Sequence, residues 1–189
     1  MFYLMAFSGM RSGEMIALKE TDFFSDTKRV RITKTPYNPD NNLLKYELTP
    51  PKTEGSFRTF DLDPSIMDLI QDRIKRQKKL RMSILNFNKC NDYGYPYIQK
   101  TVIRRMERLM RKTSIKKKAT PHIFRHTHIS MHADSGVPLT TIMKRVGLDD
   151  PKTTLQIYTH VTKKMQKDAI DKVNTYFADI LKVSNLQEM

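Results

Sequence analysis

Cysteine occurs once in this chain, as Cys90, and a single thiol excludes an internal disulfide framework. That scarcity suits a reducing compartment, and a cytoplasmic location is expected. No apolar run approaches the roughly 20 residues that span a bilayer, so no membrane-embedded role is expected. The apolar opening "MFYLMAF" lacks the basic n-region and small-residue cleavage site of a signal peptide. It reads as the last turns of a buried helix begun upstream, which predicts a missing N-terminal portion. Walker A and GxGxxG sequences are absent, as is an acidic metal cluster, so neither a nucleotide nor a metal cofactor is expected. Acidic residues are also in deficit: 20 Asp and Glu stand against 34 Lys and Arg, a formal charge of +14. An excess of that size points to a polyanionic partner, nucleic acid or an acidic surface.

What is present fits one domain with a real core at 189 residues, without internal repeats or low-complexity segments. A first helix stops at Gly9, and a second runs through "RSGEMIALKE" with Met15, Ile16 and Leu18 inward. Alternation then replaces helical spacing: "RVRIT", "KYELT" and "FRTFDL" read as three short strands, the last two joined through "PPKTEGS" as a hairpin. From Pro64 onward only helices are expected, with stripes Ile66, Leu69, Ile70, Ile74 and then Val102, Met106, Leu109, Met110. Further helices are predicted over 121–134, 138–146, 151–160 and 164–182. The fold class is α+β: mainly helical, with a small three-stranded antiparallel sheet at one edge.

The stretch "HIFRHTH" is the densest chemical signal. Its His122 and His126, like His128 and His132, are spaced to share a helical face, as zinc ligands do. The HExxH glutamate is missing, however, and no Asp or Glu lies inside the stretch. His128 and His132 are expected either to pack or to face solvent, and no chemistry is assigned to them. The third reading pairs His122 with Arg125, neighbours on one face, as a proton-handling group beside a planar fork for two phosphate oxygens. Two other segments could meet that pair. "SGMRSGEMIAL" sets Arg11 just after Gly9 with Glu14 placed to hold it, and "VGLDDPKTTLQIYTHV" carries Tyr158, an aromatic that by itself reads as core.

Together these segments resemble the catalytic domain of the tyrosine recombinases, the phage integrase family. "FSGMRSGEMIAL" is similar to the family's first arginine box, "HIFRHTHIS" to its His-x-x-Arg box, and "GLDDPKTTLQIYTH" to its nucleophile box. "PKTEGSFRTFDL" resembles the hairpin that carries its catalytic lysine. The resemblance covers residues 1 to about 165, leaving 166–189 as a C-terminal helix or tail. It implies that Arg11 and Arg125 clamp the scissile phosphate, that Glu14 orients Arg11, and that Tyr158 is the nucleophile. Lys52 would protonate the departing 5′-oxygen, and His122 would assist proton transfer. One position departs: Leu148 stands where the family usually has His or Trp, and leucine cannot donate a hydrogen bond. Either activity is reduced, another group such as His126 or His160 compensates, or this copy is impaired.

The implied partner is double-stranded DNA at attachment sites, bound as a tetramer by a protein that is monomeric alone. Basic groups at Lys75, Arg76, Lys78, Lys79, Arg104, Arg105, Lys116, Lys117 and Lys118 could line the duplex, giving salt-sensitive affinity without sequence reading. A separate core-binding domain would precede this one. Two alternatives remain at this point: a DNA-binding protein of the same fold that has lost catalysis, and an enzyme relaxing DNA by the same chemistry.

Overall fold

The computed structural model describes residues 1–40, 42, 45–83, 97–116, 119–148, 152, 154–156, 158, 159, 161 and 170. Helix α1 (Phe2–Ser8) ends at Gly9, whose N–H caps the Met5 carbonyl at 2.9 Å in a left-handed conformation. Helix α2 (Ser12–Ala17) follows at once, and a 3-10 turn at Glu20–Asp22 leads to the strands. These are β1 (Phe23–Phe24), β2 (Arg29–Ile32), β3 (Thr35–Tyr37), β4 (Glu47–Thr49) and β5 (Arg58–Asp61). Helices α3 (Pro64–Ser83), α4 (Gln99–Met110), α5 (His122–Asp134) and α6 (Leu139–Val146) complete the ordered series. Beyond α6 the described residues between 152 and 161 are helical; the helix expected over 164–182 lies outside the described residues except for Ile170.

The three-stranded antiparallel sheet has the order β1-β2-β5, with Val30 opposite Phe60. Alternation in β2 sends Val30 and Ile32 inward and Arg29 and Arg31 outward, as a half-buried strand requires. The strand "KYELT" is not part of this sheet. As β4 it pairs with β3 in a separate two-stranded ribbon, Pro36 facing Leu48, and Phe23–Phe24 supplies the third strand instead. Pro50 and Pro51 explain the separation: neither has an N–H to continue the ladder toward β5, so β4 stops at Thr49. Pro36 is tolerated because a two-stranded ribbon is all edge.

Of three apolar clusters among the described residues, one gathers Leu62, Ile66 and Met67 around the start of α3, and two frame the rest. One joins α1, α2, the sheet and α4 through Met5, Met10, Met15, Ile16, Val30, Ile32, Phe60 and Val102. The other joins α5 and α6 through Ile129, Ala133, Ile142 and Val146, with Leu148, Tyr158 and Val161 packed on it. Truncating Met5 or Met10, both fully buried, to alanine would cost about 2–5 kcal/mol. The stripes on α3 and α4 are narrower than expected: Leu69 and Leu109 are 56% and 46% exposed, and Met67 is buried in place of Leu69. No helix among the described residues is long and apolar enough to cross a membrane.

Candidate active site

The site forms where the α1–α2 junction, the start of β5, α5 and the C-terminal end of α6 meet. Arg11 sits at the N-cap of α2 with extended backbone, which turns its side chain away from the helix. Its N–H donates to Glu14 Oε2 at 2.7 Å and its Nη1 to Glu14 Oε1 at 2.9 Å. One carboxylate therefore satisfies a helix N-terminus and aims a guanidinium. Burial opposes ionisation of Glu14, but the hydrogen bonds and charges of Arg58 and then Arg11 outweigh it and hold the carboxyl below its ordinary range. Arg11 Nη2 reaches the Gly147 carbonyl at 3.2 Å, and the side chain stays about a third exposed, at 34%.

Helix α5 begins directly after Pro121, whose fixed φ is already helical. Arg125 points from its first turns into the interior, with Nη1 donating to Gly9 O at 2.9 Å and Val146 O at 2.6 Å. Its Nη2 is buried and has no hydrogen-bond partner among the described residues. Burial, then the Arg11 charge, pulls its pKa from 12.5 down to about 9. His122, one turn earlier, also has a lowered pKa, first through burial and then through His126, Arg125 and Arg11. It is therefore neutral at neutral pH and able to accept a proton.

The other histidines divide differently. His128 is buried, with Nδ1 on the Ala6 carbonyl at 2.9 Å and Nε2 accepting from Arg145 Nε at 3.1 Å. An Arg donor at Nε2 leaves Nδ1 as the protonated nitrogen, so both ring positions are committed and neither suits a metal. His132 stacks on it at 4.1 Å between ring centroids and bonds the His128 carbonyl through Nδ1. The packing reading of this pair therefore fits the structure.

Two arginines had no role from the sequence. Arg58 forks onto Glu14, Nη2 to Oε2 at 2.8 Å and Nη1 to Oε1 at 3.1 Å, and donates from Nε to the Arg145 carbonyl at 2.8 Å. Arg145 bonds His128 and the Asp61 carbonyl and lies 5.1 Å from the Phe60 ring centroid. Strand alternation hides Arg58, because a partly inward arginine on β5 looks like any surface charge.

Lys52 is exposed on the loop after β4, four residues ahead of the 3-10 turn's last residue, Ser56. Tyr158 is half-buried and packs against the α5–α6 cluster, as Leu148 and Val161 also do. Leu148 thus serves as an apolar group on that cluster, where the family pattern has a hydrogen-bond donor. Among the candidate DNA-facing groups, Lys75 pairs with Asp72 at 3.7 Å, Lys78 with Glu20 at 2.6 Å, and Arg105 lies 4.8 Å over the Tyr97 ring. Arg76, Lys79, Arg104 and Lys116 are exposed; Lys117, Lys118, His160 and Cys90 lie outside the described residues.

Comparison with known proteins identifies the family and the fold. The model of the phage integrase family matches residues 1–165. The chain is 38% identical over 183 residues to a probable integrase of prophage ps2 from Lactococcus lactis, covering 90% of this chain and 46% of that protein. It is 33% identical over 175 residues to the integrase of Staphylococcus phage L54a, covering 89% of this chain and 49% of that one. The chain thus spans about half the length of these relatives. A solved structure of the Tn1549 transposon integrase with a circular intermediate DNA superposes with a TM-score of 0.74 at 21% identity, over 90% of this chain and 57% of that one, which shows the shared fold.

Proposed function

Since the chain belongs to the phage integrase family, we propose that it is the catalytic part of a site-specific DNA recombinase working through a 3′-phosphotyrosyl intermediate. The observation that carries this reading is the Arg125 Nη2, a buried donor without a partner among the described residues, next to an Arg11 side chain that is 34% exposed. A buried guanidinium nitrogen left unpaired is costly, and a phosphate oxygen is the partner its geometry suits. Two guanidinium groups converging on a phosphodiester stabilise the charge it gains as it becomes pentacoordinate.

In this mechanism the Tyr158 Oη attacks phosphorus and the bond to the 5′-oxygen breaks. Neutral His122 takes the tyrosine proton, and Lys52 gives one to the leaving 5′-oxygen. A second strand's 5′-hydroxyl then reverses the step, losing its proton and restoring the phosphodiester. The phosphotyrosyl linkage conserves the energy of the broken bond, so exchange proceeds without nucleotide hydrolysis. Duplex DNA is the partner, and strand exchange between two sites places the protein in a tetramer on DNA.

The test is covalent trapping in EDTA on duplexes nicked near the scissile position, taken from DNA flanking the gene. An SDS-resistant adduct is expected, absent in Tyr158→Phe and more abundant in Leu148→His, which restores a hydrogen-bond donor at that position. No adduct from any variant, on DNA shown to be bound, would overturn the catalytic reading.

A further inference from the structure

Arg58 is too deep to touch DNA, with a side chain only 5% exposed, yet it holds both oxygens of the carboxylate that aims Arg11. Its plane is fixed by two further bonds, to the Ser56 carbonyl at 3.0 Å and the Arg145 carbonyl at 2.8 Å. The last of these belongs to a series. At the end of α6, the Arg145 carbonyl receives Arg58, the Val146 carbonyl receives Arg125, and the Gly147 carbonyl receives Arg11. A helix C-terminus carries partial negative charge on its unpaired carbonyls, so three cations can be gathered there despite their mutual repulsion.

The charges explain what Arg58 adds. Glu14 is a buried carboxylate in contact with both Arg58 and Arg11. With Arg11 as its sole counter-ion, the pair would be neutral as seen from an approaching phosphate. Arg58 supplies the opposing charge, and its two parallel N–H donors satisfy the carboxylate without drawing on Arg11. Resting on the reading given above, we propose that Arg58 is a positioning residue of the reaction: it neutralises Glu14, so that Arg11 is held in place yet keeps its charge for the phosphate. Because Arg58 opens β5, immediately after the loop that carries Lys52, it also fixes one end of that loop to the arginine pair.

A salt bridge that merely joined β5 to α2 would affect folding alone, and the experiment separates the two roles. Single-turnover cleavage on the nicked duplexes, DNA affinity and melting temperature are measured for native protein, Arg58→Met, Arg58→Lys and the double variant Arg58→Met/Glu14→Gln. In parallel, inorganic phosphate at low salt is used as a thermal-shift probe, which reads anion binding without chemistry. Arg58→Met is expected to lose on the order of 10²-fold in cleavage, with DNA affinity nearly unchanged and a weakened phosphate response. The double variant removes both charges, and about tenfold or more of the lost rate returns together with the phosphate response. Arg58→Lys keeps the charge without the fork and falls between native and Arg58→Met.

The proposal is overturned if the double variant, folded, is no faster than Arg58→Met, or if lysine is as damaging as methionine. Should Arg58→Met fail to fold, Arg58→Lys decides: it must retain most of the native phosphate response, and loss of that response rejects the charge role. Native protein that forms no adduct but shows the expected pattern with phosphate would sink the recombinase reading while leaving the role of Arg58 intact.

Discussion

At the scale of single residues, His128 makes stability depend on pH. Burial, the neighbouring His132 and the Arg145 contact push its pKa from 6.5 down to about 4. The folded protein therefore resists protonating a ring that the unfolded chain protonates freely below pH 6.5. The stabilisation is complete above that value and declines as pH falls toward about 4. Between pH 6.5 and pH 5 the loss amounts to about 2 kcal/mol. Denaturant unfolding at several pH values should show this slope, and His128→Gln, which has no titrating ring, should flatten it. A native slope that survives the substitution would assign the acid sensitivity to other groups, His122 first among them. The same residue shows the limit of reading chemistry from composition. Four histidines in one helical stretch suggest metal ligands, but His128 is bound to the Ala6 carbonyl and His132 to the His128 carbonyl. Arg11, Glu14 and Arg125 were legible because their spacing within a turn fixes what they can face. Arg58 was not, because its partner Glu14 lies 44 positions away and nothing local marks the pair.

At the scale of elements, the turn after α6 decides whether the three guanidinium groups can converge. Gly147 has φ +68, and a Cβ there would lie 2.5 Å from Arg58 Nη1 and 3.0 Å from the Gly55 carbonyl. Arg58 cannot swing aside cheaply, since Glu14, Ser56 and Arg145 all hold it. Gly147→Ala should therefore cost more than the roughly 1–2 kcal/mol of left-handed strain alone. Gly136 is the internal control: its φ is +76, and a Cβ would meet nothing within 4 Å. The difference in unfolding free energy between the two alanine variants measures the crowding against Arg58 and the Gly55 carbonyl, and equal values would mean that both yield. Cleavage should fall in Gly147→Ala and stay native-like in Gly136→Ala. Elements were also where the sequence was most readable. Helix boundaries at Gly9, Pro64, Pro121 and Gly147 carry their own signals, whereas the β3–β4 ribbon depends on Pro36 sitting in a strand that local pattern reads as a break. Leu69 and Leu109 failed for a related reason: helical spacing shows that residues share a face, and only the packed partner sets how wide the buried part of that face is.

At the scale of the whole molecule, the formal charge of +14 gives the proposed duplex binding a strong expected salt dependence, but the charges do not contribute equally. Each phosphate neutralised by a cation releases bound counter-ions, steepening the fall of log affinity with log salt by about 0.9. A lysine already facing a carboxylate presents little net charge to a phosphate. On α3, Lys78 is 2.6 Å from Glu20, while Arg76 and Lys79 are exposed and three residues apart on one face. If that face follows the backbone of the duplex, alanine at both Arg76 and Lys79 should reduce the slope by about two. Lys78→Ala should change it by much less, although its formal charge is the same. Binding to a duplex without an attachment site, titrated from about 50 to 200 mM salt, measures these slopes directly and needs no knowledge of the natural sequence. An unchanged slope in the Arg76/Lys79 variant would remove α3 from the DNA-facing surface. The burden would then pass to α4, where Arg104 stands exposed in an open groove with Lys100 and Glu107.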